Sequence, residues 1–171
     1  VIFDEAHQLP EIASLFFGES VSTSQLLELT RDSEVETRLV AHDFKPLLDG
    51  IESLEKATRD LRLTIEQDNA RLSLSRALRS SHFSAALALL QERLTELVNL
   101  LEHQAVRSQG LEQCWKRATA IHSSLKRWQD QLEQEGYIRW VDTFNQALHL
   151  NATPLSIAET FSKQLSTPPR A

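Results

Sequence analysis

Val1-Ile2-Phe3-Asp4-Glu5-Ala6-His7 opens the chain: three apolar residues, two adjacent carboxylates and, one residue on, a histidine. A short apolar run of this kind reads as a buried strand. A carboxylate at the carboxyl end of such a strand lies where open α/β sheets bind their ligands. In nucleotide hydrolases that position holds the magnesium ion beside the phosphates. The competing reading is an acidic cap at a helix start, but a cap needs neither the apolar run nor the histidine.

Moving outward, Pro10 can start a short helix, and Gly18 stops it after Ile12, Leu15, Phe16 and Phe17. From Ser22 to about Gly136 the pattern is helical almost throughout. Ser22-Thr23-Ser24 caps a segment with Leu26, Leu27 and Leu29. Pro46 opens a second, with Leu47, Leu48, Ile51, Leu54, Ala57, Leu61 and Ile65 at helical spacing and Glu52 paired to Lys56. Ser80-Ser81 precedes a third, with Phe83, Leu87, Leu90, Leu94, Leu97, Val98 and Leu101. Gly110 separates it from a fourth, with Leu111, Trp115, Ala118, Ile121, Leu125, Trp128 and Leu132. Four such segments with short connections predict a bundle or long helical hairpins.

The period then changes. Tyr137 to Phe144 is aromatic and β-branched and predicts a strand. Ala147 to Thr153 is its expected partner across a turn at Asn145-Gln146, and Ser156 caps a last helix. The fold class is mainly α: a helical insertion of about four helices, flanked by short strands and helices of a truncated α/β domain.

The net charge is −6 over 171 residues, so any contact with nucleic acid must be local. Cys114 is the single cysteine, which excludes a disulfide, zinc cluster or iron–sulfur cluster within one copy. One thiol fits a reducing, cytoplasmic setting. No stretch is apolar enough to cross a membrane. The chain has no methionine and no G-x-x-x-x-G-K-[ST] phosphate loop. We therefore expect a piece of a larger protein, inactive towards ATP by itself.

VIFDEAH, the helical insertion directly behind it, and the later block Trp140-Val141-Asp142, Leu148-His149-Leu150 and Thr153-Pro154-Leu155-Ser156-Ile157-Ala158 are similar to one family. The chain resembles the XPD/DinG-type iron–sulfur ATP-dependent DNA helicases of superfamily two, and within them the bacterial YoaA branch. The resemblance covers the whole chain. It implies the end of motor domain 1 at residues 1–21, with the DEAH box on its Walker B strand. A helical arch domain follows at 22–136, and residues 137–171 return to the motor. It implies a 5′–3′ helicase of DNA repair or replication, acting on single-stranded or forked DNA.

By the same resemblance, Asp4 would hold magnesium with ATP, and Glu5 would orient or deprotonate the attacking water. His7 would couple the nucleotide site to DNA. The family's 4Fe–4S ligands would lie upstream, and Cys114 matches none of them.

For DNA the sequence offers Arg71, Arg76 and Arg79 among Ser73, Ser75, Ser80, Ser81 and His82. A second basic group is Arg107, Lys116, Arg117, Lys126 and Arg127, interleaved with Trp115 and Trp128. Both tryptophans fall on the apolar stripe, which favours packing over base stacking. The six histidines are too scattered for a metal site. The rival to the motor reading is a helical module that docks a protein partner, in which DEAH is incidental.

Overall fold

The computed structural model describes residues 19–130 and 137–154. The DEAH stretch, the segment after Pro10, Leu132, Gly136 and the helix expected from Ser156 lie outside the described residues.

Strand β1 (Glu19–Ser22) runs directly into α1 (Thr23–Val40). Ser22 makes the junction: its Oγ accepts from the Gln25 N–H at 3.1 Å, and the Gln25 amide oxygen accepts from the Ser22 N–H at 3.1 Å. This reciprocal pair satisfies two donors that a helix start leaves open. Helix α2 (Lys45–Leu63) starts with Pro46 in its first turn. Asn69, at φ 53°, then turns the chain into β2 (Arg71–Ser73). A single-turn helix α3 (Leu74–Leu78) follows, and α4 (Ser81–Gln104) begins behind a Ser80 cap on the Phe83 N–H. A 3₁₀ turn at Ala105–Arg107 leads to α5 (Gln109–Asp130).

Helices α1, α2, α4 and α5 form an up-down-up-down bundle, packed α1 on α2, α2 on α4, α4 on α5 and α5 on α1. The expected stripes point inward. Leu47, Leu54, Leu61, Phe83, Leu90, Leu94, Leu97, Leu101, Leu111, Ala118, Leu125 and Trp128 are buried. Leu48, Val98, Trp115 and Ile121 are half-buried at its margin.

Strands β3 (Tyr137–Thr143) and β4 (Leu148–Pro154) form the expected hairpin, closed by the Phe144 N–H on the Ala147 carbonyl at 2.8 Å. They pair with the two strands that flank the first helices, giving one antiparallel sheet in the order β1-β4-β3-β2. Residues 137–154, read from sequence as the start of a return to the motor domain, thus sit in the sheet that seats the bundle. Val21, Leu150, Val141 and Leu72 line up across the strands and are all buried against the helices. Trp128 of α5 donates its indole N–H to the Asn151 carbonyl at 2.9 Å. Thr23 Oγ1 accepts from the Leu148 N–H at 3.0 Å. The chain enters and leaves this unit on neighbouring strands, with Glu19 opposite Ala152.

Three local expectations change. The helical run from Ser22 is broken by β2 and α3, where serine and arginine alternate with Leu72 and Ala77. Lys56 pairs forward with Asp60 at 3.3 Å rather than back to Glu52. Gly110 lies inside the first turn of α5 rather than separating two helices. A Cβ there would meet only the carboxylate end of the Glu36 side chain of α1, which can swing aside. The cap is Ser108, whose Oγ accepts from the Leu111 N–H at 3.0 Å.

Candidate nucleic-acid interface

The better of the two basic groups lies on β2, α3 and the start of α4, at the sheet end of the bundle. Two serine caps set its geometry. Ser73 accepts from the Arg76 N–H at 3.4 Å, and Ser80 accepts from the Phe83 N–H at 3.3 Å. Each cap turns the chain so that Leu72, Ala77 and Phe83 go inward, and Arg76, Arg79 and His82 go outward. Arg76 and Arg79 are exposed and form no ion pair with another described residue.

Arg71 differs from them. Its guanidinium meets the Asp142 carboxylate in two bonds, Nε to Oδ1 at 2.8 Å and Nη2 to Oδ2 at 3.2 Å. It also lies 5.4 Å from the centroid of the Trp140 ring. Asp142 Oδ2 further accepts from the Trp140 indole at 3.1 Å and from the Asn151 amide at 3.2 Å. Ser20 Oγ donates to Asn151 Oδ1 at 2.9 Å. This polar row crosses all four strands on the face away from Val141 and Leu150. The charge of Arg71 is compensated there, so the sequence placed it beside Arg76 and Arg79 while the sheet gives it to Asp142. The carboxylate partner is 71 residues away and carries no local signal.

The second basic group is largely neutralised within the chain. Arg107 pairs with Asp43, Arg117 with Asp32 at 2.7 Å, and Lys116 with Glu112 at 3.3 Å. Arg127 donates to Ser124 Oγ at 3.3 Å. Trp128 is fully buried and Trp115 half-buried, as the stripe predicted. Lys126 stays exposed.

No cluster of histidine, cysteine or carboxylate suited to a metal occurs among the described residues. His122 meets Thr95 Oγ1 at 3.0 Å, and His103 meets the Asn99 carbonyl at 2.7 Å. His149 stacks edge-on against Phe144 at 4.9 Å between centroids. Burial holds His149 below the usual histidine range, with the nearby Asp142 pulling the other way. Cys114 is buried, and burial pushes its thiol up, away from reactivity. The nucleotide-site candidates Asp4, Glu5 and His7 lie outside the described residues. No helix among the described residues is long and apolar enough to cross a membrane.

Two curated proteins match nearly the whole chain. One is "ATP-dependent DNA helicase YoaA" of Escherichia coli K12, 33% identical over 169 residues, which is 99% of this chain. The other carries the same name in Haemophilus influenzae, 34% identical over 166 residues and 96% of this chain. The chain is homologous to a segment of the YoaA helicases. The branch indicated by the sequence motifs is the one found. The chain spans 26% of the length of each YoaA relative. No protein-family profile matches it.

Proposed function

We propose that this chain is the part of an ATP-dependent DNA helicase that joins the catalytic carboxylates of its motor to its arch. The observation that carries the reading is 33% identity with a YoaA helicase over 99% of the chain, a span too long to leave out the motif-bearing first residues. Asp4 holds the magnesium that accompanies ATP, because a hard divalent ion takes carboxylate oxygen. Glu5 aligns and deprotonates the water attacking the γ-phosphate. His7, with a donor and an acceptor nitrogen, relays the state of the nucleotide to the DNA-binding elements. The chain holds no phosphate loop, so ATP turnover belongs to the intact protein. The 4Fe–4S cluster of the family has no ligands here.

The bundle and its sheet, residues 19–154, act as the arch over the single strand. Arg76 and Arg79 contact its phosphates, with His82 and the neighbouring serines as further donors. Arg71 holds the sheet rather than the DNA. Such contacts are indifferent to base sequence, which suits an enzyme that moves along a strand. The role is in DNA repair or replication, in the cytoplasm, on single-stranded or forked DNA. The test is strand separation by the intact protein on a duplex with a 5′ single-stranded tail. ATP-dependent unwinding of that substrate, and none of its 3′-tailed counterpart, is expected. Failure on both removes the motor reading.

A further inference from the structure

At the end of the bundle away from the sheet, the α1–α2 and α4–α5 connections meet. Arg107 of the 3₁₀ turn donates to both Asp43 carboxylate oxygens, with Nη2 to Oδ2 at 3.0 Å. This pair holds the carboxyl of Asp43 below the usual carboxylate range. The turn is therefore fixed to its neighbour, yet it presents Val106 at 92% exposure, above every other large apolar side chain in the described residues. Beside Val106 lies an open groove of about 600 Å³ whose wall includes Ala105, Trp115, Glu102 and Glu112.

An isolated exposed valine needs no explanation. A valine on a pinned turn, lining one groove with a half-buried tryptophan and two carboxylates, is a different arrangement. Aromatic anchors with an apolar centre and a charged rim are the usual build of a small docking site. Glu112 already has Lys116, but Glu102 is exposed and has no ion partner among the described residues. The rim is acidic, and the whole chain is acidic by 6 charges. Both favour an approaching segment that is basic.

We infer that the groove beside Val106 and Trp115 docks a short segment of a partner protein with an aliphatic anchor between lysines or arginines. The apolar side chain covers Val106 and the exposed edge of Trp115. A flanking cation pairs with Glu102. The site lies at the opposite end of the bundle from Arg76 and Arg79, so one unit can hold DNA at its base and a protein at its tip. The inference uses only the folded bundle and stands apart from the motor reading.

The test is fluorescence anisotropy on the intact protein, with a labelled peptide of leucines interspersed with lysines. The same peptide with glutamate in place of lysine is the control. The lysine peptide is expected to bind and the glutamate peptide not. Val106→Asp and Glu102→Lys should each weaken binding by about tenfold or more, the usual effect of removing one anchor. Leu63→Asp and Glu66→Lys, exposed positions at the sheet end, should leave it unchanged. Unspecific charge attraction would make Glu66→Lys lose as much as Glu102→Lys while Val106→Asp loses nothing; that pattern would overturn the proposal, as would no binding. Self-association of the protein in sedimentation, abolished by Val106→Asp, would overturn it in favour of a second copy in the groove. Loss of helicase activity in any variant does not bear on these outcomes.

Discussion

At the scale of single residues, Trp128 joins the two halves of the unit. Its ring fills the bundle and its N–H reaches the Asn151 carbonyl of β4. Trp128→Ala should destabilise by about 3–5 kcal/mol, the usual cost of deleting a buried large aromatic. Trp128→Phe keeps part of the packing but loses the hydrogen bond, and should cost less, about 1–3 kcal/mol. Urea unfolding of both variants checks the order. The stripe that placed Trp128 inside was legible in the sequence. Its hydrogen bond was not, because Asn151 lies on an element that only tertiary pairing brings near.

His149 gives a pH signature. Its folded pKa lies below the ordinary value of 6.5, because burial disfavours the cation. Above that value both states are neutral and the residue is silent. As pH falls below 6.5, the unfolded chain takes the proton first, so stability falls until the lower folded pKa is passed. The urea midpoint should therefore drop between pH 7.5 and pH 5.5, and drop less in His149→Asn. A midpoint equally pH-dependent in both proteins would dismiss this assignment.

Among the elements, the four long helices were legible because their apolar positions recur at three and four residues without a break. The second half of α1 was less so. Its buried face there is Ser33 and Thr37, polar residues whose small size lets α5 approach at Gly110 and Cys114. Strand β2 was hidden altogether. Three residues give no period, and the serine caps that follow, Ser73 and Ser80, resemble a helical connection. That misreading also grouped Arg71 with Arg76 and Arg79.

The distinction is testable at the level of the β2–α3 element. Arg76→Ala with Arg79→Ala should weaken binding of single-stranded DNA. It should also lower the slope of log affinity against log salt by about 1.4, or roughly 0.7 for each phosphate no longer neutralised. Arg71→Ala should leave that slope in place and lower thermal stability modestly, since a part-exposed ion pair contributes about 0.2–1 kcal/mol. Titrations at several salt concentrations separate the two outcomes. An Arg71→Ala slope change equal to that of the double variant would return Arg71 to the DNA.

For the molecule as a whole, the sheet ties the two ends of the helical unit together. β1 brings the chain in, β4 takes it out, and the two are paired. Arg62 ties the far end of α2 to the hairpin by donating to the Phe144 carbonyl at 3.0 and 2.7 Å. Residues 19–154 should therefore unfold in one cooperative step when expressed alone. Residues 22–136, the span drawn from helical periodicity, would lack β1, β3 and β4 and expose the bundle base. That piece should lose cooperativity, as denaturation followed by circular dichroism would report. The periodicity marked where helices begin and end. It carried no trace of which strands would pair across more than a hundred residues.

In the proposed function, Asp4 and Glu5 belong to a motor that this helical unit serves. The most direct measurement is ATP hydrolysis stimulated by single-stranded DNA, in the intact protein and its Glu5→Ala form. A loss of turnover of about 100-fold or more is expected, the range of a positioned general base, with nucleotide binding retained. Unchanged turnover, or none in either protein, would contradict it and leave the helical unit as a protein-docking module.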